Sequence, residues 1–198
     1  MGRKSKAEER KKEILESFYV VLKEEGYENA SIGKIAEHMD VNPSLLIHYF
    51  KTKEEIVVAF VDFLLNKFED TFKNDLLNSD SPKERFNIAL GILYGERWLL
   101  VSDQRVFYAC YYLTTRNKRI RDRFKAMYKH FVAFLTPYIE DWMKHQIIRN
   151  DMDPKSVAEY MIIQNEGLTY YDKLQQDPTG FVVRSRIITD SIRSFLCR

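Results

Sequence analysis

The chain has 198 residues, a formal net charge of +2 at pH 7, and 30% charged against 45% hydrophobic residues. This composition is typical of a globular protein with a sizeable core, and it excludes a disordered chain or a bulk polycation. The longest apolar runs are far too short to span a membrane, and no apolar segment follows the charged N-terminus as in a signal peptide. We therefore expect a cytoplasmic protein of one or two domains with no membrane partner.

The basic charge is concentrated near the N-terminus, where six lysines and arginines lie within the first twelve residues, beside Glu8 and Glu9. Such an arm is compatible with nucleic-acid binding, although a solvated, frayed terminus has the same composition. The two cysteines, Cys110 and Cys197, form neither a metal-binding cluster nor a disulfide framework. We expect both thiols to be reduced, and we expect no metal or other cofactor.

Helical periodicity dominates the chain, and no segment shows the period-two alternation of strands between hairpin turns. The first helix is predicted over residues 8–25, with Gly26 as the residue that ends it. Its apolar stripe consists of Ile14, Leu15, Phe18, Val21 and Leu22.

Residues 30–55 contain two short helical patterns joined by a tight break, followed by the start of a longer helix. Ser31 is the predicted N-cap of the first pattern, and Asn42 caps the second, with Pro43 at the first helical position. Thr52 and Glu55 have the spacing of a capping box. Two short helices joined by a tight turn are the geometry that lets one helix enter a DNA major groove.

Further helical patterns continue to the end of the chain. Pro137 lies inside one of them and should either kink that helix or split it in two. Asp153 and Pro154 are a predicted N-cap and first helical residue. The patterns cover residues 53–77, 82–100, 103–113, 118–145, 154–174 and 181–196.

The stretch from Ser31 to Glu55 resembles the helix-turn-helix of the TetR family of bacterial transcriptional repressors. Two positions depart from the family pattern: Asp40 stands where the turn glycine is usual, and Ile47 where an aromatic residue is usual. Aspartate tolerates the left-handed conformation better than most residues, so we expect the turn to form. The matching residues are Ser31, Ile35, Ala36, Val41, Asn42, Leu46, Tyr49, Phe50, Lys53 and Glu54.

The resemblance implies an all-α protein in which a three-helix N-terminal helix-turn-helix domain is joined by a long helix to a C-terminal helical bundle, with about nine helices in total. Residues 1–52 would bind DNA, and residues 53–198 would bind an effector and dimerise. The fourth helix, over residues 53–77, would connect the two domains.

The resemblance also implies which residues meet DNA. Serine and histidine can bind phosphates or base edges, whereas a leucine can touch only a thymine methyl group, and lysines near helix starts suit phosphates. Simple exposure of His48 and packing of Tyr49 are the alternatives. The predicted DNA-binding residues are Lys34, Asn42, Ser44, Leu45, His48, Tyr49 and Lys53.

Aromatic residues are frequent between residues 94 and 142, and the family usually houses an inducer in its C-terminal domain. Aromatic walls with a few polar tips are typical of small-molecule sites, although the same residues could simply fill the core of a bundle. The expected effector is small and largely apolar or aromatic. The predicted ligand-binding residues are Tyr94, Trp98, Tyr108, Tyr111, Tyr112 and Gln164.

In the family, the last two helices of two subunits form a four-helix dimer interface, which implies a homodimer here. Gly167 is unfavourable in a helix by about 1 kcal/mol relative to alanine, and a closely approaching helix, from a partner or from the same chain, would explain it. The predicted interface residues are Ala158, Met161, Ile162, Gly167, Leu168, Ile187, Ile188, Ser191 and Phe195.

Together with these patterns, the resemblance implies a ligand-responsive repressor whose homodimer binds a palindromic operator in double-stranded DNA and is released by its effector. One alternative is a helical small-molecule sensor or binding module without sequence-specific DNA binding. Another is a helical enzyme acting on a hydrophobic substrate. Scattered histidines, and the lack of a Walker loop or an H-E-x-x-H motif, argue against an enzyme.

Overall fold

The computed structural model describes residues 3–76, 79–96 and 104–197, and the all-α fold is confirmed there. A short 3-10 helix, Leu113–Thr115, follows the sixth α-helix. The nine α-helices of the described ranges are α1 (Arg3–Asn29), α2 (Ile32–His38), α3 (Pro43–Tyr49), α4 (Lys53–Leu76), α5 (Pro82–Tyr94), α6 (Gln104–Tyr112), α7 (Lys118–Lys144), α8 (Pro154–Gln175) and α9 (Pro178–Leu196).

The helix starts follow the capping signals of the sequence. Ser31, Asn42 and Asp153 each adopt an extended backbone and accept a hydrogen bond from a backbone N–H of the first helical turn, as predicted. The start of α9 was predicted at residue 181 and lies at Pro178, because Asp177 and Pro178 repeat the cap-and-proline signal of α8.

Two helices end differently from the prediction. In α1, the break at Gly26 is confirmed by its φ of 75°, but the chain resumes helical geometry as far as Asn29. The helix predicted over residues 82–100 ends at Tyr94, and residues 97–103 lie outside the described ranges. Pro137 does not split its helix, since α7 continues through it.

The chain forms two compact units. The first comprises residues 1–67 and 105–127, and the second comprises residues 68–104 and 128–198. The helices α4 and α7 therefore each contribute residues to both units. The predicted functional boundary at residue 52 concerns DNA and effector binding, and it stays a prediction.

The first unit is built on an aromatic and aliphatic core from α1 to α4. The rings of Phe18 and Phe60 meet edge to face with their centres 5.2 Å apart, and Leu46 of α3 is fully buried in this unit. The beginning of α7 is tied to α4 in the same unit, because Arg119 forms an ion pair with Glu54 at 3.7 Å. This core fixes the position of the short helices α2 and α3.

The second unit has Trp142 at its centre. Its ring is fully buried and meets Phe86 edge to face at 5.2 Å, joining α7 to α5. An ion pair of 2.8 Å between Arg85 and Asp141 connects the same two helices at the edge of this core. The buried amide of Asn165 on α8 donates to the carbonyl of Leu93 near the end of α5.

Candidate nucleic-acid interface and effector site

The turn between α2 and α3 forms without a glycine. Asp40 takes a φ of 51°, in the left-handed region, as the sequence predicted for this position. The turn is closed by the N–H of Val41, which donates to the carbonyl of Ala36 at 3.0 Å. The chain then enters α3 through Asn42, whose side chain accepts from the N–H of Ser44 at 2.9 Å. A polar side chain thus sets the angle at which α3 leaves the turn.

The helix α3 has one buried and one exposed face. Leu46 is fully buried, and Phe50 directly after the helix is also buried. Ser44, Ile47 and His48 are all exposed. Positions three and four apart lie on the same side of a helix, so these three side chains form one outward face. We call Ser44, Ile47 and His48 the outward face of α3.

The other predicted DNA-binding residues of α3 occupy its flanks. Leu45 and Tyr49 are half-buried, so both side chains are partly used in packing. The ring of His48 meets that of Tyr49 edge to face at 5.1 Å, which restricts the orientation of the imidazole. Asn42 is exposed, but its side-chain oxygen is engaged in the N-cap.

The predicted phosphate-binding Lys34 lies at the start of α2, exposed to solvent. Its ammonium pairs with Glu25 at 3.5 Å and with Glu37 at 3.3 Å. A hydrogen bond to Glu37 is the main cause that raises the pKa of Lys34. Exposed ion pairs of this kind are weak, so a phosphate can replace either carboxylate.

Lys53, the second predicted phosphate contact, points into its own unit. Its ammonium donates to the carbonyl of Tyr27 and lies 3.8 Å from the centre of the Tyr27 ring. Burial lowers the pKa of Lys53, and burial raises the pKa of the nearby Cys110 thiol to about 12. The ammonium has three donors, so Lys53 can contact a phosphate only with those that the Tyr27 carbonyl does not occupy.

The predicted capping box of Thr52 and Glu55 is only half formed. The N–H of Glu55 donates to the Thr52 hydroxyl at 3.2 Å, as predicted, but the Glu55 carboxylate accepts from the N–H of Lys51 at 2.8 Å. The acidic side chain therefore secures the link between α3 and α4.

The predicted ligand-binding residues fall in both compact units. Tyr94 and the half-buried Gln164 belong to the second unit, and Tyr94 is buried with its hydroxyl donating to the carbonyl of Met161 at 2.7 Å. Tyr108, Tyr111 and Tyr112 belong to the first unit, where Tyr111 and Tyr112 are exposed. Trp98 lies outside the described residues.

The sequence reasoning missed a polar group in the second unit. The hydroxyl of Tyr128 donates to Glu166 at 2.8 Å, and burial is the main cause that raises the pKa of the Glu166 carboxyl. The neighbouring Asn165 and Thr169 are buried as well. The signal was available as consecutive polar residues, Gln164 to Glu166, inside an otherwise apolar helical stretch.

Two family models match the chain in these same regions. The model of bacterial regulatory proteins of the tetR family matches residues 14–60, which include α2, the turn and α3. The model of the tetracyclin repressor-like C-terminal domain matches residues 83–195, which is more than half of the chain. The chain belongs to the TetR family. The resemblance seen in the sequence is thereby confirmed.

Similar TetR-family proteins cover most of the chain. The transcriptional regulator PksA of Bacillus subtilis is 23% identical over 84% of this chain and 80% of its own length. A regulator from Saccharomonospora viridis, solved in complex with choline, has a TM-score of 0.80 at 19% identity, covering 96% and 99% of the two chains. FadR of Bacillus subtilis, solved with stearoyl-CoA, has a TM-score of 0.72 at 16% identity, covering 91% and 96%.

Two further properties follow from the described ranges. None of the helices there is both long and apolar enough to cross a membrane. No cluster of three or more histidine, cysteine, aspartate or glutamate side chains that could hold a metal ion occurs in the same residues.

Proposed function

We propose that this TetR-family regulator is a repressor that binds a palindromic operator as a homodimer and leaves it when a small effector binds. The outward face of α3 carries the proposal, because it presents a hydroxyl, an apolar group and an imidazole on one side of a helix anchored by Leu46. Serine and histidine can bind base edges or phosphates in the major groove. Such a regulator acts in the cytoplasm, where it meets its operator.

The dimer is supported by an apolar stripe on α8. Ile163, Tyr170 and Leu174 are exposed and lie, with Gly167, on the side of the helix opposite its buried residues. A methyl group added at Gly167 would meet nothing within 4 Å in the described part of the chain, so no helix of the same chain approaches it there. We infer that the partner subunit packs against this stripe.

The neighbouring helix α9 also carries exposed apolar residues. Val183 and Ile187 are exposed one turn apart, and α9 is held beside α8 by an ion pair of 2.6 Å between Arg184 and Asp172. Three of the predicted interface residues are buried inside their own unit, so the proposed interface does not include their side chains. They are Ala158, Met161 and Leu168.

Light scattering at micromolar concentration tests the dimer. We expect the wild-type protein to be dimeric and the Ile163→Asp variant to be monomeric, because a desolvated carboxylate opposes the apolar contact. Tyr112→Asp is the matched control, since Tyr112 is 54% exposed but lies on α6. A monomeric wild type would contradict the proposal.

The effector is proposed to bind in the second unit. Aromatic surface and polar groups are provided there by Tyr94, Gln164 and the Tyr128–Glu166 pair. The related structures hold ligands as different as choline and stearoyl-CoA. The effector could be apolar, as expected from the sequence, or cationic. Titrating compounds of both kinds and measuring the release of operator DNA distinguishes these two cases. Glu166→Gln should impair only the response to a cation.

Coupling between effector and DNA is proposed to run through α4, which is continuous from Lys53 to Leu76 and contributes to both units. An effector that binds one arrangement of α4 better than another shifts the population of the DNA-binding form. Selection of random duplex DNA by the purified protein is the deciding experiment. An enriched inverted repeat supports the repressor, whereas binding that is sequence-blind and fades with salt would favour the small-molecule sensor.

A further inference from the structure

The outward face of α3 contains one large apolar side chain, Ile47. Ile47 is 49% exposed, although isoleucine is large, apolar and a poorer helix former than leucine or alanine. The residue before it, Leu46, is fully buried and anchors the helix. About half of the Ile47 residue remains exposed to solvent, so burial within the fold accounts for only part of this isoleucine.

Its two neighbours on that face are polar. Ser44 lies three residues before Ile47 and His48 directly after it, and all three side chains are exposed. Lys51, exposed just beyond α3, adds positive charge at the same end of the helix. The face therefore suits a polyanion with an apolar group set among polar ones, and double-stranded DNA is the occupant with that chemistry.

In the major groove, the thymine C5-methyl group is the apolar feature that a side chain can recognise. From the sequence, Leu45 was the candidate for such a contact. Leu45 is half-buried on the flank of α3, whereas Ile47 is 49% exposed on the outward face. We propose that Ile47 is a specificity-determining residue that contacts the C5-methyl group of a thymine in each half of the operator. This inference rests on the proposed function.

The test uses the duplex sequence selected by the wild-type protein. Each thymine of a half-site is replaced in turn by deoxyuridine, which removes only the methyl group, and the Kd is measured for wild type, Ile47→Ala and Ile47→Val. At one thymine, we expect the replacement to weaken wild-type binding about fourfold per half-site, the value for one buried methyl-sized group. Ile47→Val should keep much of this sensitivity, and Ile47→Ala should lose it.

Leu45→Ala is the matched control. It should keep the wild-type sensitivity at the thymine identified by Ile47, and circular dichroism should show both alanine variants folded. The proposal is overturned if Ile47→Ala responds to every replacement as strongly as wild type does, or if no thymine methyl contributes to binding. Failure to select any sequence would overturn the operator-binding function as well, so the two failures are distinguishable.

Discussion

The buried amide of Asn165 is expected to be a principal tie between α8 and α5. The last carbonyls of a helix lack intrahelical donors, and in α5 two of them accept hydrogen bonds from side chains of other helices. Asn165 donates to the Leu93 carbonyl, and the hydroxyl of Ser185 on α9 donates to the Tyr94 carbonyl. The Asn165→Ala variant would leave the Leu93 carbonyl buried without this donor. We expect the variant to be destabilised.

The size of the effect follows from the burial of both groups. Asn165 is 2% exposed and Leu93 is 3% exposed, so water cannot easily replace the lost donor. Leaving a buried acceptor unsatisfied costs about 1–3 kcal/mol. Urea unfolding followed by circular dichroism measures this loss, with the m value shared between the variants.

Asn87→Ala is the matched control, because Asn87 is an exposed asparagine within α5 of the same unit. Its side-chain oxygen accepts from Arg193 at 2.8 Å. Any gain in helix propensity from alanine is similar in both variants. We expect the exposed change to stay within about 0.5 kcal/mol of wild type. Equal losses in the two variants would refute the argument that burial of the Leu93 carbonyl determines the cost.

Three further outcomes are expected. Lys53→Met should lower the free energy of unfolding by about 1 kcal/mol in urea, because the Tyr27 carbonyl loses a charged donor; an unchanged value would show that this contact does not stabilise the fold. Burial raises the pKa of Glu166 from its usual 4.5. The free energy of unfolding of wild type, relative to that of Glu166→Gln, should therefore fall as the pH rises from below 4.5 through the raised pKa. A difference that does not change with pH would contradict this. In the Cys197→Ser variant, Cys110 should resist thiol reagents at pH 8 until the protein unfolds, because burial raises its pKa to about 12; rapid labelling of the folded protein would disprove it.

The local chemistry of the helix starts could be predicted because each signal lies within a few consecutive residues. Ser31, Asn42 and Asp153 cap helices as expected, and Asp40 forms the turn in place of glycine. The end of α5 could not be predicted in this way. The side chains that serve its last carbonyls come from residues 165 and 185, far along the chain.

The candidate site shows the same difference between local features, which could be predicted, and tertiary contacts, which could not. The sequence already predicted Ser44 and His48 as DNA-binding residues, and helical geometry places residues four apart on one side. Ile47 was not among the predicted DNA-binding residues. The structure was needed to show that Ile47 is more exposed than Leu45 and that Lys53 faces Tyr27. Both facts depend on how α3 and α4 pack against α1 and α2.

The sequence by itself determined the helical class, most helix starts and the resemblance to the TetR family, because caps and apolar periodicity act over a single turn. Only the tertiary structure decided which apolar residues of α8 are buried and which remain for a partner. Met161 and Ile163 are both large, apolar and helical, yet one is fully buried and the other is 67% exposed. Their difference comes from the neighbouring helices that cover one side of α8.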